Sequence, residues 1–323
     1  AELEALVKDV DGHALTLNYE LSDNLTLSSI SAYRAMENIG QGDSDGSSFS
    51  LLTTVGDQQE DDMFTQEFRL IGNAMNDKLE YVMGAFYMNE VGELSVGSEL
   101  DLAVARGLPA LTGTLIYAQN SIDFENDVWA LYGQGTYNLT DQWNLTLGLR
   151  YTKEDREMSK FATNFVNGNA GAPTVYPEAS GSFDNISGMA SLGYQISEDV
   201  MTYAKLSQGY QSGGFNSRDR LAVYFVTGYD EETVLAYEWG FKSFLHDRRF
   251  MLNAALFFND YDDKVVSKFV FDDSGARNIL RNAGVVEIYG AEVEFIAQLD
   301  SGVEFGINYG YTHPEYKKYE DDL

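Results

Sequence analysis

Hydrophobic and polar positions alternate with a period of two along almost the whole chain. Trp143, Leu145, Leu147, Leu149 and Tyr151 are interleaved with Asn144, Thr146, Gly148 and Arg150. Val303, Phe305, Ile307, Tyr309 and Tyr311 are interleaved with Glu304, Gly306, Asn308 and Gly310. The same rhythm runs through Leu235, Tyr237, Trp239 and Phe241, and through Ala291, Val293, Phe295, Ala297 and Leu299. Successive side chains of a strand point to opposite faces, so each segment has one apolar and one polar or small face. The pattern predicts about twelve strands, over 13–21, 24–37, 62–72, 78–92, 123–138, 142–155, 183–196, 199–211, 233–245, 249–271, 278–299 and 303–318.

The connections predicted between these strands are of two kinds. Short polar turns fall at 22–24, 73–77, 140–142, 197–199, 246–248 and 300–302. Long polar stretches, 38–62, 92–126, 155–184 and 213–232, lie between them. Tight turns at one end and long loops at the other describe an up-and-down meander. Several strands exceed the soluble mean of about 5–6 residues, so the fold class predicted is an all-β, antiparallel transmembrane β-barrel. A soluble β-sandwich or propeller also alternates, but its strands are short and its apolar face is hidden. Here the apolar face gathers aromatics near segment ends, as at Trp143/Tyr151 and Tyr309/Tyr311, the composition of a membrane-interface girdle.

Composition narrows the function. Lys plus Arg number 21 against 51 Asp plus Glu, a net charge of −30, which repels phosphate backbones and argues against nucleic-acid binding. The absence of Cys removes disulfides, thiolate metal sites and thiol nucleophiles. No apolar run is long enough for a transmembrane helix. An aromatic content of 13% is too high for a disordered chain.

Five local strings go beyond pattern: Phe64 to Leu70 (FTQEFRL), Tyr203 to Asn216 (YAKLSQGYQSGGFN), Tyr237 to Ser243 (YEWGFKS), Asn253 to Tyr261 (NAALFFNDY) and Ile288 to Glu294 (IYGAEVE). In this order and spacing they resemble the β-barrel domain of TonB-dependent outer-membrane receptors, over nearly the whole chain. The resemblance implies a barrel of about 22 strands closed by an N-terminal plug, in the outer membrane of a Gram-negative bacterium. It also implies capture of a scarce small nutrient, a ferric siderophore foremost, with haem, cobalamin or glycan as further classes. Energy would come from the TonB complex through the plug. Outer-membrane lipids and lipopolysaccharide are the other expected partners, and no cofactor is expected. Residues 1–323 hold no plug-like stretch, TonB box or terminal aromatic strand, so they are expected to be an internal portion of a longer barrel domain. A passive porin-like channel and a surface binding or adhesion barrel stay open as alternatives.

Three groups of residues could carry the chemistry. Glu67, Arg69, Arg150, Lys205, Glu238, Lys242, Glu292 and Glu294 fall on polar strand faces. They would line the lumen, either toward a plug or substrate path or as solvated charges of a wet interior. Tyr117, Phe161, Phe165, Tyr176, Tyr224, Phe225 and Tyr229 fall in the long polar stretches. Loop aromatics offer wide contact to catecholate, porphyrin or sugar faces, and serve equally to pack loops together. Asp43 and Asp45, in Asp43-Ser44-Asp45-Gly46, match part of a calcium loop without its other ligands; a solvated acidic loop with Asp57, Glu60, Asp61 and Asp62 fits as well. Enzymatic readings fail on inventory. His13, His246 and His313 are scattered, and no HExxH, GxSxG or phosphate-cradling loop occurs.

Overall fold

The computed structural model describes residues 7–43, 52–101, 115–166, 169–217, 221–272 and 275–319. Twelve long strands form one antiparallel meander in chain order: β1 (Val7–Ser22), β2 (Leu25–Asp43), β3 (Leu52–Ala74), β4 (Leu79–Asp101), β5 (Leu115–Asn138), β6 (Trp143–Val166), β9 (Ala179–Ser197), β10 (Val200–Gln211), β11 (Glu232–Leu245), β12 (Phe250–Asp272), β13 (Gly275–Gln298) and β14 (Glu304–Tyr319). Two short strands, β7 (Asn169–Ala170) and β8 (Thr174–Val175), also pair with β6. A single short helix, α1 (Ala222–Thr227), is described between β10 and β11. Among the described residues β1 and β14 are not paired with each other, so the sheet is an arc with two edges.

The two faces differ as the alternation requires. Leu131, Leu147, Leu149, Trp239 and Leu256 point away from the arc and are at least half exposed. Aromatic pairs mark the limits of this apolar face. Trp143 and Tyr194 lie 4.5 Å apart near the short turns, and Trp129 and Tyr151 lie 5.3 Å apart further up. From Trp143 to Tyr151 the strand climbs roughly 26 Å, which a tilt brings near the apolar band of an outer-membrane barrel. On the other face, side chains reach across an intervening strand. The Tyr132 hydroxyl on β5 donates to Glu67 on β3 at 2.5 Å, and the Tyr210 hydroxyl on β10 donates to Glu154 on β6 at 2.7 Å. Such convergence identifies the concave, inner face.

All six short turns lie where expected, but the strands run further at the other end. β3 begins at Leu52, β4 ends at Asp101, β5 begins at Leu115 and β6 ends at Val166. Asp57, Glu60, Asp61 and Asp62 are therefore residues of β3 and not of a loop. Tyr117 lies in β5, and Phe161 and Phe165 in β6, not in loops. A 24-residue strand such as β6 measures about 80 Å, far more than the hydrocarbon of about 30 Å requires. Above the membrane band both faces meet water, so apolar contrast fades while backbone pairing continues.

The extended outer wall is acidic. Asp9, Glu37, Glu60, Glu93 and Asp123 stand directly opposite one another across β1 to β5. Five of the 51 acidic side chains thus stand in one row of the strand wall.

Candidate functional site

The inner face carries a chain of charged and aromatic groups. Glu67 accepts from Tyr132 at 2.5 Å and pairs with Arg69 at 2.6 Å. The Arg150 guanidinium lies 5.6 Å from the Phe86 ring and 5.7 Å from the Tyr132 ring, and its Nε donates to Thr152 at 2.9 Å. Glu154 pairs with Arg156 at 2.9 Å and accepts from Tyr210. Glycine makes part of this packing feasible: a Cβ on Gly84 would stand 2.5 Å from the Tyr132 ring and hydroxyl. The Tyr132 ring covers the glycine directly opposite it and is thereby aimed at Glu67.

A second group lies on β10 to β14. Glu238 accepts from the Tyr203 hydroxyl at 2.6 Å, and the Lys242 ammonium sits 5.8 Å from the Tyr203 ring. Lys205 stands directly opposite Glu238 in the ladder. Glu294 accepts from Asn253 at 2.9 Å. Tyr203, Lys242, Asn253, Glu292, Glu294 and Asn308 line one open recess of about 390 Å³.

The third group is the connection after β10. Ser212, Gly213, Gly214 and Asn216 are buried, and Phe225 on α1 is fully buried. Phe225, Tyr176 and Ala179 form a closed apolar cluster against Met158, Ala162 and Phe215. The Tyr176 and Phe225 rings meet edge to face at 5.8 Å. Lys160, 1% exposed, projects from β6 to 4.7 Å from the Tyr176 ring and donates to the Ser217 carbonyl at 2.8 Å.

Of the residues expected from sequence, Glu67, Arg69 and Arg150 come together, as do Lys242, Glu292 and Glu294. Tyr176 and Phe225 meet, and Tyr229 pairs through its backbone with Gly214. Tyr224 is exposed on α1. Phe161 stands exposed opposite Val175, away from the buried cluster. Tyr117 and Phe165 are opposite partners in β5 and β6. Asp43 ends β2, and Asp45 lies outside the described residues. No group of three potential metal ligands occurs among the described residues. Sequence reasoning passed over Tyr132, Glu154, Arg156 and Lys160. The last three share the phase of Arg150 on β6: Glu154 already falls within the predicted strand, and extending the alternation past Asp155 would have found Arg156 and Lys160.

An antiparallel arc with an apolar outer face, aromatic girdles and a charged inner face defines the wall of an outer-membrane β-barrel. The family model described as "TonB dependent receptor-like, beta-barrel" matches residues 5–323. The chain belongs to the TonB-dependent receptor family. It is 24% identical over 192 residues to the pesticin receptor of Yersinia pestis, an alignment covering 58% of this chain and 26% of that protein. The ferric yersiniabactin uptake receptor FyuA from Yersinia pestis has a similar fold, with TM-score 0.75 and 20% identity over 97% of this chain and 44% of that one. The siderophore receptor PiuA from Acinetobacter baumannii gives TM-score 0.75 and 17% identity, over 98% of this chain and 48% of that one. The chain thus spans less than half the length of each of these relatives.

Proposed function

We propose that this chain forms part of the wall of an active outer-membrane transporter that takes up a ferric siderophore with energy from TonB. The observation that carries this reading is the inversion of polarity across the sheet. Leucine, tryptophan and tyrosine face the lipid, while Arg69, Arg150, Glu67, Glu154 and their aromatic partners face the interior. Such a wall encloses a polar passage or a polar occupant. Membership of the family and the ligands named for FyuA and PiuA favour a ferric siderophore as the cargo.

Among the described residues, β1 and β14 each leave one edge without a partner strand, and lipid does not tolerate an open edge. We infer that further strands complete the barrel and that a plug fills it, with the inner charged groups as its counterpart. Lipopolysaccharide would surround the outer wall, and the loop aromatics would contribute to ligand capture.

Iron-limited growth and uptake of labelled ferric complexes, in cells with and without the receptor, test this reading. Accumulation is expected to fall at least tenfold on loss of the receptor and equally on loss of TonB. Uptake that survives the loss of TonB would indicate a passive channel. Binding without accumulation would indicate a surface receptor of another kind.

A further inference from the structure

Six short turns divide the wall into hairpins, β1–β2, β3–β4, β5–β6, β9–β10, β11–β12 and β13–β14. Inside a hairpin the turn fixes which residues face each other. Between hairpins no short turn does so. A one-residue slip there would exchange the lipid and lumen faces, and polarity excludes it. A two-residue slip keeps every side chain on its own face. It changes the length of an outer connection by two residues, at slight entropic cost. β12 and β13 pair as far as Asp272 and Gly275, but two register shifts between Tyr261 and Val265 uncouple the lower half of that ladder from its outer end.

Inner-face rings lie on glycines in three of the ladders between hairpins. Tyr132 faces Gly84 and Phe124 faces Gly92 across β4 and β5. Tyr203 faces Gly240 across β10 and β11, and Phe257 faces Gly290 across β12 and β13. At each of these glycines a Cβ would stand closer than 3.0 Å to the facing ring, so the ring occupies the place of the missing side chain. β6 and β9 repeat the arrangement with an amide: Asn144 faces Gly193, where a Cβ would stand 2.6 Å from its Oδ1. Tyr203 has a glycine on either side, Gly193 within its own hairpin and Gly240 on the next one, and its ring lies on Gly240. Among the described residues no inner-face glycine has a ring this close from the other strand of its own hairpin. On the lipid face the Tyr81 hydroxyl comes close to Gly72 within β3–β4, beside a turn that already sets the register.

A two-residue slip would destroy every seat. Tyr132 would face Val82 or Phe86, and Phe124 would face Glu90 or Leu94. Tyr203 would face Glu238 or Lys242, and Phe257 would face Ile288 or Glu292. Each of these residues puts a side chain where the ring must lie, and forced overpacking is destabilising. We propose that the ring-on-glycine seats are the register joints of the wall. Each hairpin is set by its own turn, and the seat sets where that hairpin docks on the next.

Residues 1–323 contain no Cys, so paired thiols read the register of β10 on β11 in the full-length receptor in outer membranes. Ser207 faces Ala236. Oxidation of Ser207→Cys with Ala236→Cys reports the native register, because a disulfide bridges facing strand residues and not diagonal ones. Ser207→Cys with Val234→Cys, and Gly209→Cys with Ala236→Cys, report the two slips. Tyr203→Ala should raise the slipped disulfides at least tenfold and lower the native one. Tyr203→Phe keeps the ring and loses the hydroxyl bond to Glu238, and it should leave the native disulfide unchanged. A bridge inside the hairpin, Ala236→Cys with Asn259→Cys, should respond to neither. Where Tyr203→Ala does not accumulate, the exchanged pair Tyr203→Gly with Gly240→Tyr carries the test. It rebuilds the seat in mirror order and should restore both accumulation and the native disulfide. A native register kept in Tyr203→Ala, lost equally in Tyr203→Phe, or not restored by the exchanged pair overturns the joint.

Discussion

Replacing Gly84 by alanine places a Cβ 2.5 Å from the Tyr132 ζ carbon and hydroxyl oxygen, where no such contact is sustainable. β4 and β5 cannot separate without breaking their ladder, so the ring must swing instead. Swinging removes the Tyr132 bond to Glu67, a bond to a charged acceptor worth about 1.5–3 kcal/mol. It also forces the ring off its rotamer, at about 0.5–1.5 kcal/mol. Alanine restricts the unfolded chain more than glycine does, which offsets about 0.4–1 kcal/mol. The net loss expected for Gly84→Ala is therefore about 2–3 kcal/mol. Tyr132→Phe removes the hydrogen bond but leaves the ring over the glycine. In that background Gly84→Ala should cost almost nothing. A double-mutant cycle, read by equilibrium urea unfolding of the receptor in phospholipid vesicles, should show a coupling of about 1.5–3 kcal/mol. Strict additivity, or a Gly84→Ala variant as stable as the parent, would refute the claim that the glycine exists to seat the ring on Glu67.

Other expectations follow from other parts of the arc. Glu60→Gln, in the middle of the acidic row, should raise the urea midpoint at low ionic strength, because like charges directly opposite destabilise a ladder. The gain should vanish near 1 M salt, where the Debye length is about 3 Å; a salt-independent effect would exclude electrostatics as its cause. Met75 adopts φ 56° in an exposed short turn, so Met75→Gly should stabilise by about 1 kcal/mol in the same unfolding assay, and a loss would contradict the assigned strain. Glu232 is buried and holds Lys264 Nζ at 2.7 Å and the Val265 amide at 2.9 Å beside a bulge in β12. Glu232→Gln should weaken that junction by about 2 kcal/mol, seen as faster amide exchange at Val265 with exchange at β1 to β5 unchanged.

The strand order, the six tight turns and the identity of the lipid-facing side were legible because membrane and water impose opposite demands on alternate residues. Trp143 to Tyr151 could not sit otherwise without burying Arg150 in lipid. The upper strand ends were not legible. At Glu60, Glu93 and Glu157 the outward face meets water, and polar residues there look like loop residues even though their backbones are paired. The phase of Arg150 continued silently to Arg156 and Lys160 for the same reason.

The connection after β10 was beyond reach of any local pattern. Residues 213–232 are polar, glycine-rich and irregular, the signature of an exposed loop. Gly213, Gly214 and Asn216 are nonetheless buried, and this segment is held by partners more than fifty residues away, Lys160 at Ser217 and Leu280 at Asn216. The sequence by itself determined the meander, its register and the polarity of its two faces, because a strand's periodicity is local and each hairpin is closed by its own turn. Only the tertiary structure decided which charges meet and what covers them. Curvature brings non-adjacent strands together on the inner face, and that distance is written in no stretch of the chain.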